Sequence, residues 1–174
     1  MSEVKTALKG FLDRYIQKSK DLFGELPMGI YIKDCDLFVS EPDKEGYAYW
    51  MYKEADKTDI AGLNDELTDF FGSYYYVSVD GEVETSFEFY DSPMLQFTLH
   101  GMLDEESVRQ EVTPGSIVEL CPCEVGSYDE MVLCYDQTDK SLFVMDYGYD
   151  AENPPKYELG MSLAEFFNNA ESVI

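Results

Sequence analysis

Residues 74–90 read YYYVSVDGEVETSFEFY, and the way this stretch pairs decides the fold. Alternating apolar and polar side chains mark half-buried strands, and Asp80-Gly81 between two such runs is a strong hairpin signal. A two-residue turn would set Val79 opposite Glu82 and Val77 opposite Glu84, mixing valines with carboxylates on one face. A three-residue Val79-Asp80-Gly81 loop, with the glycine left-handed, pairs Ser78 with Glu82 instead. Tyr74, Tyr76, Ser78, Glu82, Glu84, Ser86, Glu88 and Tyr90 then share one face. Tyr75, Val77, Val83, Thr85, Phe87 and Phe89 share the other. The following strand, Met94–His100, adds Gln96, Thr98 and His100 to the first face and Leu95, Phe97 and Leu99 to the second. The expectation is a three-stranded antiparallel meander with a Tyr/Glu face.

Outward from the meander, Val4, Leu8, Phe11, Leu12 and Tyr15 recur at helical spacing, so residues 3–20 read as an amphipathic helix with a basic outer face. Short strands are expected at Ile30–Lys33, Leu37–Ser40 and Tyr47–Tyr52, the last with Trp50 near its centre. Leu63–Phe71 reads as a helix that starts near Asn64 or Asp65, with Gly72 just past its end. Asp104–Val112 reads as another, with Asp104, Glu105 and Glu106 in the first turn, where the helix dipole favours them. Strands follow at Ile117–Cys121, Met131–Tyr135 and Leu142–Asp146. Ser162 caps a last helix, and Glu165 three residues on completes a capping box. This is the pattern of one α+β domain over residues 1–174, a mostly antiparallel twisted sheet flanked by N-terminal, central and C-terminal helices.

Charge narrows the choice of partner. The 174 residues hold 36 Asp or Glu against 12 Lys or Arg, a formal net charge of −24. With 45% hydrophobic and 15% aromatic residues, the chain is too rich in core formers for a disordered acidic tail. Nucleic acid is disfavoured as a direct ligand because a surface this negative repels phosphate, and anionic membranes are disfavoured for the same reason. The basic side chains are also unevenly placed. Five of them lie in residues 1–20, and none lies between Thr58 and Val108. A compact state tolerating such self-repulsion points to a cationic partner, a basic protein surface. Tyrosines among carboxylates suit that role, since Tyr is enriched at binding hot spots and carboxylates select Arg and Lys.

Signals for chemistry are thin. His100 is the only histidine, so a hydrolase of Ser-His or Cys-His type would depend on it. Cys121-Pro-Cys123 has one intervening residue where structural zinc knuckles use two or more, so Cys35, Cys121, Cys123 and Cys134 are expected as reduced strand thiols. Asp146, Asp150 and Glu152 lack the spacing and glycine of a calcium-binding EF-hand loop. No phosphate-binding, dinucleotide-binding or hydrolase motif occurs. No catalytic residue, metal or cofactor is expected. The N-terminus lacks a signal-type apolar run and no stretch reaches the eighteen apolar residues of a membrane span, which reads as a cytoplasmic protein with no transmembrane segment.

Four stretches carry a family resemblance. Ala7-Leu8-Lys9 with Phe11, Arg14 and Tyr15 is similar to the opening helix of the Syd family, a branch of the bacterial SUKH superfamily. Tyr49-Trp50 resembles its aromatic strand, and Leu95–Leu99 followed by Asp104–Arg109 its central strand and acidic helix. Leu163-Ala164-Glu165-Phe166-Phe167 resembles its closing helix. The resemblance implies a non-catalytic α+β binding domain. Superfamily members commonly act as immunity proteins that neutralise toxins, many of them nucleases. Syd itself associates with cytoplasmic loops of the SecY translocon, at the inner face of the cell membrane. The chain departs from Syd after the acidic helix, where Glu111–Gly115 runs to the next strand without a basic extension. The expected function is therefore an immunity protein for a basic toxin, with the translocon loops as the alternative partner. Its expected contact surface is Tyr74, Tyr76, Glu82, Glu84, Glu88 and Tyr90, with Asp104, Glu105 and Glu106 beside it.

Overall fold

The computed structural model describes residues 2–56, 59–85 and 92–174. Helix α1 (Glu3–Phe23) begins where the Ser2 side chain accepts the Lys5 amide, and ends at Gly24, whose left-handed backbone (φ 74°) returns its N–H to the Lys20 carbonyl. Its apolar stripe, Val4, Leu8, Phe11, Leu12 and Tyr15, is buried as the spacing requires. A small hairpin of β1 (Met28–Ile30) and β2 (Tyr47–Tyr49) follows. The expected strand at Leu37–Ser40 contributes only an isolated bridge from Phe38 to Trp50. Trp50 is buried and stacks on Tyr15 at 6.0 Å between ring centroids. Next come β3 (Lys53–Glu54), α2 (Asp65–Gly72, capped by Asn64) and β4 (Tyr74–Tyr75), which pairs back to β3.

Among the described residues, the main sheet has seven antiparallel strands. They are β5 (Val79–Glu84), β6 (Met94–Leu99), β7 (Ile117–Val125), β8 (Tyr128–Asp136), β9 (Ser141–Asp146), β10 (Lys156–Glu158) and β11 (Glu171–Val173). Across the sheet the order is β10-β9-β8-β7-β6-β5-β11. Helix α3 (Glu105–Glu111) lies between β6 and β7 in the chain, and α4 (Leu163–Asn169) between β10 and β11. The fold is α+β. The capping box expected of Ser162 with Glu165 is present, while Asp104, expected in the first turn of α3, is instead its N-cap and accepts the Ser107 amide.

One face of the sheet is covered. Val79, Val83, Leu95, Phe97, Leu99, Val125, Leu133 and Val144 meet Phe11 of α1, Phe70 of α2, Val108 of α3 and Phe166 and Phe167 of α4 in one continuous core. The basic face expected on α1 is partly consumed by this packing. Arg14 donates to the carbonyls of Phe167 and Ala170, at the end of α4 where carbonyls lack helical partners. Lys18 donates to the Ser172 carbonyl of β11. Lys5 pairs with Glu54 at 2.6 Å. A polar joint fastens α2 to the sheet, where the buried Tyr135 hydroxyl donates to Glu66 and accepts from the Asn64 side-chain amide.

The meander is corrected in one respect with wide consequences. Val79, Asp80 and Gly81 form no loop; they are the first residues of β5, with Val79 opposite Leu99, Gly81 opposite Phe97 and Val83 opposite Leu95. Gly81 serves packing rather than a turn. A Cβ there would lie 2.4 Å from Cζ of Phe97 and 2.8 Å from Cζ of Phe11, so only glycine lets the two rings close over the strand. The stretch before it therefore belongs elsewhere. Tyr74 pairs with Glu54 of β3, and Tyr76 bridges to Met102.

Candidate functional site

The face of the sheet left uncovered among the described residues is built by the residues that alternate with the core positions. On β5 these are Asp80, Glu82 and Glu84, opposite Thr98, Gln96 and Met94 of β6. On β11, Glu171 stands opposite Glu82, and Val173 opposite Asp80. On β7, Glu124 stands opposite Gln96. One row thus crosses four neighbouring strands as Glu171, Glu82, Gln96 and Glu124, spanning about 14 Å at the ordinary strand spacing. Glu82 and Glu171 are like charges placed directly across a strand pair, an arrangement that destabilises a sheet. Asp80 is held by a 2.6 Å hydrogen bond from the Thr98 hydroxyl.

Two features shape this face. Glu119 and Cys121 of β7 stand opposite the consecutive Cys134 and Leu133 of β8, a bulge that bends the strand beside the exposed Pro122. A second irregularity falls beyond Cys123, where Glu130 of β8 takes a left-handed backbone (φ 56°). Left-handed geometry is disfavoured for a residue with a Cβ, and here it helps set Asp129 and Glu130 at the end of the face. A groove of about 460 Å³ is lined by Asp80, Gln96 and Thr98 on one side and by Glu124, Asp129 and Glu130 on the other. Toward β10 the character of the face changes. Phe143 is buried there beneath the Lys156 ammonium, which lies 4.1 Å from the ring centroid.

Not every expected contact residue lies on this surface. Glu82 and Glu84 do, the first half-buried and the second exposed. Tyr74 and Tyr76 do not: they are 2% and 1% exposed, and belong to the core. Their burial follows from β4 leaving the main sheet to pair with β3. Glu88 and Tyr90 lie outside the described residues. Asp104, Glu105 and Glu106 are exposed, but they start α3, which packs against α2 and sends Val108 into the core. Asp104 faces a small cleft with Cys35, Lys53 and Tyr75, and its carboxyl is held below the usual range mainly by the Ser107 amide. It is a cap on another surface.

Glu171, Glu124, Asp129 and Glu130 were missed by sequence reasoning. For Glu124 a signal existed, since it alternates with Cys121, Cys123 and Val125 along one strand. For Glu171 there was none, because β11 is three residues long and shows no period of its own.

The remaining candidates for chemistry have structural placements. His100 is exposed just past the end of β6. Asp150 accepts the amides of Glu152 and Asn153, a turn role. Cys121, Cys123 and Cys134 are buried; burial pushes all three thiols up, that of Cys134 to about 12. Cys35 is partly exposed. A thiol reagent at about pH 8 should therefore label Cys35 in the native protein and the other three only after denaturation. Labelling of Cys121 or Cys123 as fast as Cys35 would contradict their burial.

No protein-family model matches the chain, and no curated protein matches it. Among the described residues, no helix is long and apolar enough to cross a membrane.

Proposed function

We propose that the chain is a non-catalytic binding domain whose acidic sheet face takes a basic protein, and that it serves in the cytoplasm as an immunity protein neutralising a basic toxin. The observation that carries this is the row Glu171, Glu82, Gln96 and Glu124 across the open face. Carboxylates gathered on one face, with Asp80, Glu124, Asp129 and Glu130 around the groove beside Glu82 and Glu171, focus a negative field, which speeds the arrival of a cationic partner and selects against anionic ones. The cross-strand pair Glu82 and Glu171 adds a second support. Its repulsion weakens the free chain and is relieved when a cation is bound between the two carboxylates. The resemblance to the Syd and SUKH proteins supports a binding role, and offers the basic SecY loops as the alternative partner for the same face.

The test is capture from a lysate of the source organism, followed by titration of whatever is captured. A soluble basic protein released at high salt, whose activity falls to zero at one equivalent of the chain, is the expected result. Recovery of SecY with its membrane would favour the translocon reading. Glu82→Lys with Glu124→Lys should slow association about tenfold or more at low salt, with the difference shrinking as salt rises. Association rates unchanged by this double reversal would remove the sheet face from the proposal.

A further inference from the structure

A pocket of about 510 Å³ lies beside the acidic groove and shares Asp129 with it. Three tyrosines line it: Tyr128 from the start of β8, Tyr157 from β10, and Tyr149 from the loop after β9. Tyr149 is 80% exposed and Tyr128 is 44% exposed, so these rings are held out toward solvent rather than used to fill the core. Asp146, only 5% exposed, also lines the pocket and accepts the Tyr149 amide at 3.1 Å. That bond fixes the loop carrying the most exposed ring. Gly148 keeps the space open, since a Cβ there would lie 3.1 Å from the Asp129 carbonyl oxygen and 3.5 Å from Oδ1 of Asp146.

Tyrosine faces beside carboxylates form an environment for an organic cation. The ring quadrupole attracts positive charge, while the carboxylates supply the countercharge. A planar guanidinium uses both, because it stacks on an aromatic face and still presents N–H donors at its edge. An anion would meet the carboxylates of Asp129 and Asp146, which line the same pocket. We propose that this pocket is a subsite for an arginine side chain of the basic partner. The inference rests on the binding role proposed above and specifies one anchor within it. The groove supplies the general attraction, and the pocket selects the cation that seats at its end.

N-acetyl-argininamide tests the pocket, with N-acetyl-citrullinamide as its uncharged isostere and capped octa-arginine as a probe of the whole acidic surface. NMR titration of the full chain should show saturable shifts of the Tyr128, Tyr149 and Tyr157 resonances with the arginine probe, and none with citrulline. Tyr149→Ala should weaken arginine binding at least tenfold, and Tyr149→Phe, which retains the ring face, should stay near the parent. At 80% exposed, Tyr149 can be truncated without touching the core, so loss of binding would not reflect unfolding. Equal shifts with citrulline, or arginine binding indifferent to Tyr149→Ala, would overturn the subsite. So would failure of the arginine probe while octa-arginine still binds and is weakened by Glu82→Lys; the acidic face would then stand without this anchor. Octa-arginine binding no tighter than the single-arginine probe, and unmoved by Glu82→Lys, would overturn the groove reading and leave the subsite.

Discussion

Phe167→Ala should remove about 3–5 kcal/mol of folding stability. Phe167 is fully buried, with the rings of Phe11, Phe70, Phe97 and Phe166 around it at centroid distances of 5.9, 5.6, 6.3 and 5.3 Å. These rings come from α1, α2, β6 and α4, so truncation opens a cavity at the point where three helices meet the sheet. The surrounding aromatics are large and rigid and cannot collapse fully into the space. A domain of this kind holds only about 5–15 kcal/mol in total, so the loss would take much of its stability. Denaturant unfolding should show a lower midpoint with an unchanged slope. A change under 1 kcal/mol would mean that these helices are not joined to the sheet through this cluster.

Gly81→Ala has the second largest expected effect, and it separates two readings of one residue. Were Gly81 the left-handed residue of a hairpin loop, Asn would replace it with little loss and Ala with somewhat more. As the β5 residue facing Phe97 and Phe11, it has no room for any Cβ. Both substitutions should then destabilise by about 1–3 kcal/mol or more, through overpacking, with Asn at least as damaging as Ala. The contact is with ring atoms, so a smaller partner should make room. Gly81→Ala combined with Phe97→Leu is expected to cost less than the sum of the two single changes, the coupling found for residues in contact. Additive effects, or an Asn variant as stable as the parent, would restore the loop.

The starts of α2 and α4 were legible in the sequence because a cap is decided within four residues; the far ends were not, since α1 runs on to Phe23 and Gly72 lies inside α2. Ser162 with Glu165 and Asn64 ahead of α2 occupy the positions their side chains imply, whereas Asp104, expected in the first turn of α3, stands one step earlier as its cap. The buried stripe of α1 was legible for the same reason, since its spacing is set by the helix itself. That Glu82 shares a face with Gln96, and Val83 with Leu95, could also be reached from alternation, though their direct pairing could not. Residues 74–81 misled because Asp-Gly carries a local preference for turns, and the requirement that overrode it comes from Phe11, seventy positions away. Tyr74 and Tyr76 went with that error. Once the chain runs straight through Gly81, the tyrosines are no longer part of the same strand, and they fill the core beside the small sheet.

What the sequence determined by itself was the class of the fold, the starts of α2 and α4 and the sign of its charge. Periodicity and capping act over a few residues, and net charge is a sum that no folding can alter. Only the tertiary structure decided which carboxylates stand together. Glu171 reaches Glu82 because a three-residue strand after α4 returns to the edge of the sheet. Glu124 joins them through the pairing of β6 with β7. Those neighbours are set by hydrogen-bonded pairing between segments far apart in the chain, and a surface exists only once that pairing is made.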